Sequence, residues 1–284
     1  MRVLLTGGSG QLGRDAAAEL ARRDIPFLAV TSREMDLRDE ARVARVLAEY
    51  RPDAVLHCAA WTRVDRAEAE PEACMAVNAR GTRCLAEGCR ALGAKLLFVS
   101  TDYVFPGEGT RPYEVDDPTG PLNVYGRSKL AGEESVRALV ERHFVVRTSW
   151  LMGRAGDNFV KTMLRLGRTP GELSVVGDQI GSPTFSADLA PVLIELLQSD
   201  CYGVYHATNE GFCSWAELAE EVFRQAGREV TVARVTTEDY GAPALRPKNS
   251  RLSKAALAAA GFPPLPRWQE SLAEFLQGLP EAGV

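Results

Sequence analysis

No apolar run in this chain of 284 residues approaches the ~18 residues that a membrane span needs, so no membrane partner is expected. Lys and Arg form neither a block nor a stripe, and the formal net charge is −5, which argues against DNA or RNA as a partner. The six cysteines, Cys58, Cys74, Cys84, Cys89, Cys201 and Cys213, contain no C-x-x-C pair. That removes the common zinc and redox spacings, and the thiols read as reduced and mostly buried. There is no internal repeat and no low-complexity segment. An apolar content of 45% with 25% charged residues is that of a globular enzyme rather than a disordered chain. The sequence opens on a strand instead of a leader, so the expected location is the cytoplasm.

What is present alternates. Short β-branched and Leu-rich runs, Val3 to Thr6, Phe27 to Thr31, Ala54 to His57, Lys95 to Ser100 and Phe144 to Thr148, have the character of buried parallel strands. Helical stretches lie between them: Gln11 to Arg23, Asp39 to Tyr50, Pro71 to Leu92 and Val124 to Arg142. The pattern predicts an α/β fold, a doubly wound parallel sheet of Rossmann type. After Trp150 turn-rich segments take over, which predicts a second, smaller substrate-binding domain. The division expected is 1–154 for the dinucleotide-binding domain and 155–284 for the substrate-binding domain, with 186–208 returning to the first as a helix and a strand.

Gly7, Gly10 and Gly13 follow the first strand directly and open the first helix. In that context glycines allow a tight turn, a close approach of backbone N–H groups to a pyrophosphate, and a helix start whose positive end favours the anion. At the end of the second strand, where an acidic residue would grip the ribose diol of NAD(H), the chain has Thr31-Ser32-Arg33. Arg33 suits a 2′-phosphate and favours NADP(H), while Glu34 keeps NAD(H) open. Asp36 and Leu37 fall where the adenine would lie; an N-cap for the following helix also explains the carboxylate.

Tyr125 and Lys129 stand four residues apart, hence on one helical face. A phenol with a pKa of about 10 is a reluctant proton donor at neutral pH. A unit charge about 4 Å away in an effective dielectric near 20 contributes roughly 4 kcal/mol, enough to lower that value by about three units. Lys129 is expected to supply that charge. Thr101 follows the strand ending at Ser100, at the carboxyl edge where such folds bind ligands, and its hydroxyl is placed to orient a carbonyl; Ser100 is the neighbouring alternative. His57 reads as a hydrogen-bonded core residue.

These features together resemble the extended short-chain dehydrogenase/reductases, and within them the dTDP-4-dehydrorhamnose reductase family. The matching stretches are Gly7 to Gly13, Ala59-Ala60-Trp61-Thr62 with Val64-Asp65 and Glu68, Val77-Asn78, Ser100-Thr101-Asp102-Tyr103-Val104-Phe105, Tyr125 with Lys129, Arg147-Thr148-Ser149-Trp150, Asp178-Gln179 to Pro183-Thr184, and Arg246-Pro247 with Asn249-Ser250. The resemblance implies NAD(P)H-dependent reduction of the 4-keto group of a dTDP-6-deoxysugar, giving dTDP-L-rhamnose, with Thr101, Tyr125 and Lys129 catalytic and Tyr125 the proton donor. It implies cofactor contacts from Gly7, Gly10, Gln11, Leu12, Gly13, Arg33, Asp36, Leu37, Ala59, Ala60, Thr62 and Asn78 besides Tyr125 and Lys129. Substrate contacts are implied for Thr62, Val64, Tyr103, Trp150, Asn158, Gln179 and Arg246, the last through diphosphate pairing. A homodimer and a magnesium ion held by acidic side chains at its contact follow from the family alone. Asp15 and Glu19 have no defensible ligand spacing, so no metal ligand is assigned. Two alternatives remain: a reductase of another 4-keto nucleotide sugar, and a non-catalytic NADP-binding regulatory subunit, against which the intact Thr101, Tyr125 and Lys129 set counts.

Overall fold

The computed structural model describes residues 1–279; the end of the expected second domain, 280–284, lies outside the described residues. Six parallel strands form the main sheet. They are β1 (Val3–Thr6), β2 (Phe27–Val30), β3 (Ala54–His57), β4 (Lys95–Thr101), β5 (His143–Thr148) and the late strand Gly203–His206. From one edge the order is Gly203–His206, β5, β4, β3, β1, β2. The chain leaves β1 for the edge at β2 and returns to its other side at β3, so a crevice opens at the carboxyl ends, between the segments that follow β1 and β3.

Helices cover both faces, which is why β1 and β3 are buried at every position. Side chains alternate across the sheet: Leu5, Leu56 and Leu97 pack with Leu12, Leu20, Leu189 and Leu193 on one face. Leu4, Val55, Leu96 and Phe98 pack with Val43, Leu47, Leu85 and Val136 on the other. Each fully buried Leu of this kind contributes roughly 1.5–3 kcal/mol. The helix Ser186–Gln198 lies on the first of these faces beside the helix Gln11–Arg22, and Gly203–His206 pairs in parallel with β5, so a segment late in the chain joins the main sheet.

Besides shifts of one residue at several ends, local details differ from those read in the sequence. The helix expected to run to Arg142 spans Val124–Leu139, because Val140 turns extended ahead of β5. The stretch Pro71 to Leu92 is helical but widens into a π-helix over Ala76–Gly81. Asp39, not Asp36, caps the helix Glu40–Tyr50 by accepting from Arg42 N; Asp36 is engaged by the Arg38 guanidinium at 2.6 Å.

One buried ion pair ties β5 to the helix Val124–Leu139. Arg147 donates to Glu133 from Nε at 3.0 Å and from its terminal nitrogen at 2.8 Å, and also to Val115 O, with the His206 ring beside it. Such a pair holds geometry more than it adds stability, since desolvation offsets most of the attraction. The remaining chain builds a second core from Val160, Leu164, Val222, Phe223, Trp268 and Phe275. A parallel pair, Gly171–Val176 with Val230–Val235, lies there, and the helix Trp215–Gln225 begins in a capping box of Ser214 and Glu217.

Candidate active site

A cavity of about 810 Å³ opens at the carboxyl ends of the main sheet and runs from the glycine loop to the second core. At its inner end the glycines are required by space. Gly7 has φ +72°, and a Cβ there would lie 2.8 Å from Ala59 N; a Cβ on Gly13 would lie 2.1 Å from Gly7 O. The helix Gln11–Arg22 starts at Gly10 with no side-chain cap, so its first N–H groups are unclaimed and face the cavity. This cradle fits a pyrophosphate. Three buried polar atoms on the same wall, Ser100 Oγ, Asp102 Oδ2 and Thr148 Oγ1, have no hydrogen-bond partner. An unpaired buried polar atom costs about 1–3 kcal/mol, so their clustering marks a surface made for a polar ligand.

Of the residues expected to act chemically, Thr101, Tyr125 and Lys129 share this wall. Thr101 ends β4, donates to Asp102 Oδ1 at 3.0 Å and accepts from Tyr103 N at 3.2 Å. Asn123 caps the helix Val124–Leu139 by accepting from Gly126 N, which fixes the turn that carries Tyr125. Lys129 donates to Val99 O at 2.7 Å, with its ammonium 3.9 Å from the ring centre of Phe98.

The electrostatics depart from expectation. Burial raises the Tyr125 phenol above its usual range despite the opposing pull of the Thr101 hydroxyl. Burial also pulls Lys129 down to about 7, against the attraction of Glu133. The phenol is thus raised rather than lowered, and the Lys129 ammonium bonds Val99 O on β4. Asp102 is pushed up to about 6 by burial, against the pull of the nearby Ser250 and Thr101 hydroxyls.

Gly7, Gly10, Gln11, Leu12, Gly13, Asp36, Leu37, Ala59, Ala60, Thr62, Val64, Tyr103, Trp150 and Asn158 also line the cavity. Tyr103 meets Tyr125 edge to face at 5.7 Å. Trp150 has φ +47°, unusual for a side-chain-bearing residue, and stacks on Trp215 with centroids 3.6 Å apart and planes 13° apart.

Four expected contact residues are not on this wall. Arg33 is exposed beside Ser32, and its backbone N–H donates to Thr31 Oγ1. Asn78 is buried behind the wall as a clamp: it bonds both the N–H and the carbonyl of Trp61 and also Ser128 Oγ, joining the segment after β3 to the helix of Tyr125. Gln179 donates to Thr237 Oγ1, and Arg246 pairs with Asp65 at 2.8 Å. Glu34, the acid one residue past Arg33, is taken up by the N–H and hydroxyl of Thr31, which holds its carboxyl below the usual range. Sequence reading missed Trp215 and Phe159, which complete the aromatic side; their distance along the chain gave no signal. His57 is locked between Thr6 and Thr82 hydroxyls and pushed down to about 3 by burial, as a core residue. All six cysteines are free thiols. Among the described residues no helix is long and apolar enough to cross a membrane, and no group of three or more His, Cys, Asp or Glu is placed to hold a metal.

The glycine cradle, the crevice at the switch point and the Tyr–Lys helix define the class as a Rossmann-type dinucleotide-binding fold of the short-chain dehydrogenase kind. A family model described as the RmlD substrate binding domain matches residues 1–280, and the chain belongs to that family. It is 46% identical to a dTDP-4-dehydrorhamnose reductase of Streptomyces griseus, over 98% of this chain and 94% of the relative. It is 39% identical to a dTDP-4-keto-6-deoxy-D-glucose reductase of Streptomyces niveus, with 96% of each covered. The crystal structure of a dTDP-4-dehydrorhamnose reductase from Bacillus anthracis str. Ames in complex with NADP superposes with a TM-score of 0.95 at 43% identity, over 97% of this chain and 98% of that one.

Proposed function

We propose that this protein is an NADPH-dependent oxidoreductase that reduces the 4-keto group of dTDP-4-dehydrorhamnose to give dTDP-L-rhamnose. The observation that carries the reading is one continuous cavity with a pyrophosphate cradle at one end and Thr101, Tyr125 and Lys129 on its wall. When bound, NADPH supplies the hydride. Tyr125 delivers its phenol proton to the oxygen of the former carbonyl as negative charge develops there. Thr101 orients the carbonyl through its hydroxyl, itself fixed by Asp102. Lys129, held by Val99 O, supplies the cationic side of the pocket.

The division of labour follows the two units, 1–154 with 186–208 for the dinucleotide and 155–284 for the sugar nucleotide. Gly7, Gly10, Gln11, Leu12 and Gly13 cradle the pyrophosphate, Asp36 and Leu37 border the adenine, and Ala59, Ala60 and Thr62 let the dinucleotide pass close to the backbone. Arg33 meets the 2′-phosphate, a role open to it because Glu34 is occupied by Thr31. Val64, Tyr103, Trp150 and Asn158 face the substrate; Asn78, Gln179 and Arg246 act from behind the wall by holding its loops. A cytoplasmic location, read from the free cysteines, and a homodimer, which rests on family resemblance, belong to the same reading.

A second reading, reduction of a different 4-keto nucleotide sugar, is favoured by the relative from Streptomyces niveus, whose name gives another substrate. Mixing the protein with NADPH and a panel of dTDP-4-keto-6-deoxysugars, and following loss of reduced-cofactor absorbance, separates the two. Fastest oxidation with dTDP-4-dehydrorhamnose is expected. Oxidation with none would leave the regulatory, non-catalytic alternative.

A further inference from the structure

Gln11 belongs to the glycine loop and to the second unit at once. Its side-chain oxygen accepts from Gly153 N at 2.7 Å and from Asn158 Nδ2 at 2.9 Å. The amide cannot be turned over, because Gly153 presents a backbone N–H and only the oxygen can accept from it. Asn158 is fixed in the same way. Its nitrogen also donates to Gly153 O at 2.8 Å, and its oxygen accepts from Lys161 N at 3.1 Å, capping the helix Phe159–Leu166. The approach is tight: a Cβ on Gly153 would lie 2.6 Å from both Gln11 Cβ and Ser186 Oγ.

Both amides line the cavity, and the segment they hold carries Asp157 and Phe159 into its wall. Phe159 packs at 4.7 Å on Trp215, which stacks on Trp150. A contiguous path therefore joins the residue at the pyrophosphate cradle to the aromatic side of the substrate pocket. Gln11 Nε2 has no hydrogen-bond partner among the described residues, and the residue lines the cavity.

We infer that Gln11 and Asn158 are a positioning pair that couples binding of the dinucleotide to binding of the nucleotide sugar. This rests on the function proposed above. A pyrophosphate that orders the glycine loop fixes Gln11, which fixes residues 153–158 and, through Phe159 and Trp215, the surface met by the sugar. Linkage makes the effect reciprocal, so the sugar nucleotide tightens the dinucleotide by the same factor.

The test is calorimetric titration of the full chain with dTDP, with and without saturating NADP+, in the wild type, Gln11→Ala and Asn158→Ser. Serine keeps a helix-capping hydroxyl and removes the amide that reaches Gln11. The wild type is expected to bind dTDP about fivefold or more tightly when NADP+ is present. Both variants should bring that ratio to within about twofold of one, and Asn158→Ser should leave NADP+ affinity measured alone within about twofold of wild type. In turnover, KM for the sugar should rise by a larger factor than kcat falls. A wild-type ratio of one, or variants that keep the wild-type ratio, would overturn the coupling. Failure of the wild type to bind either ligand would instead overturn the reading of the site on which the coupling rests.

Discussion

Lys129 Nζ donates to the carbonyl oxygen of Val99 at 2.7 Å, so the ammonium is anchored to the strand that ends in Thr101 rather than to Tyr125. Burial pulls it from 10.5 to about 7. Below pH 7 the folded and unfolded chains both carry the charge, and the cost of burying it is fully present. Between pH 7 and 10.5 the unfolded chain binds more protons, and stability rises with pH. Lys129→Met, measured without ligands, is therefore expected to be more stable than wild type at pH 7 by about 1 kcal/mol or more, with the difference shrinking toward pH 10. Urea midpoints across that range check it, and a difference that stays constant would be contrary.

Asp102 behaves in the opposite sense. Its folded pKa of about 6 lies above the ordinary 3.8, so the folded chain holds the extra proton between these values and stability falls as pH rises through them. Asp102→Asn should raise Tm at pH 7.5 by about 2 °C or more and leave it nearly unchanged at pH 3, below the ordinary 3.8, where the carboxyl is neutral in the folded and unfolded chains alike. Thermal melts at the two pH values decide the matter; equal shifts at both would remove burial as the cause.

Trp150 holds a left-handed backbone against the face of Trp215. An aromatic pair of this kind contributes about 0.5–1.5 kcal/mol beyond its buried area. Trp215→Ala should raise KM for the sugar nucleotide about two- to tenfold with NADPH affinity in the absence of the sugar unchanged, and Trp215→Phe should restore most of the loss. Steady-state kinetics with the sugar nucleotide varied and fluorescence titration with NADPH alone provide the readout.

Arg33 is exposed one residue past Ser32 on the cavity wall, while Glu34 is held by Thr31. Arg33→Ala should weaken NADPH about tenfold or more and NADH less than about twofold, the loss of a charge-assisted bond to the 2′-phosphate. Fluorescence titration with both cofactors measures this. Equal weakening would move the phosphate contact to another group.

Features written as local constraint were legible in the sequence. Gly7 and Gly13 announce themselves because close approach of the backbone excludes any side chain, and Tyr125 and Lys129 because one helical turn fixes their common face. The alternating strands followed from burial on both faces of the sheet. What escaped depends on contacts between distant segments. The spacing of Tyr125 and Lys129 could not reveal that Val99 O would take the ammonium, nor that Asn78 would lie behind the wall on a π-helical turn. Trp215 and Phe159 join the site only when the second core docks, and Gln179 and Arg246 bond Thr237 and Asp65, partners far away in the chain.

The proton-donor role proposed for Tyr125 rests on its place beside Thr101 and Lys129 in the cavity that begins at the glycine loop. Single-turnover hydride transfer from NADPH to dTDP-4-dehydrorhamnose, compared between wild type and Tyr125→Phe with sugar-nucleotide affinity measured separately, tests it most directly. The expected result is a rate lower by about a hundredfold or more with affinity kept within about threefold. A variant that transfers hydride at the wild-type rate would contradict the account.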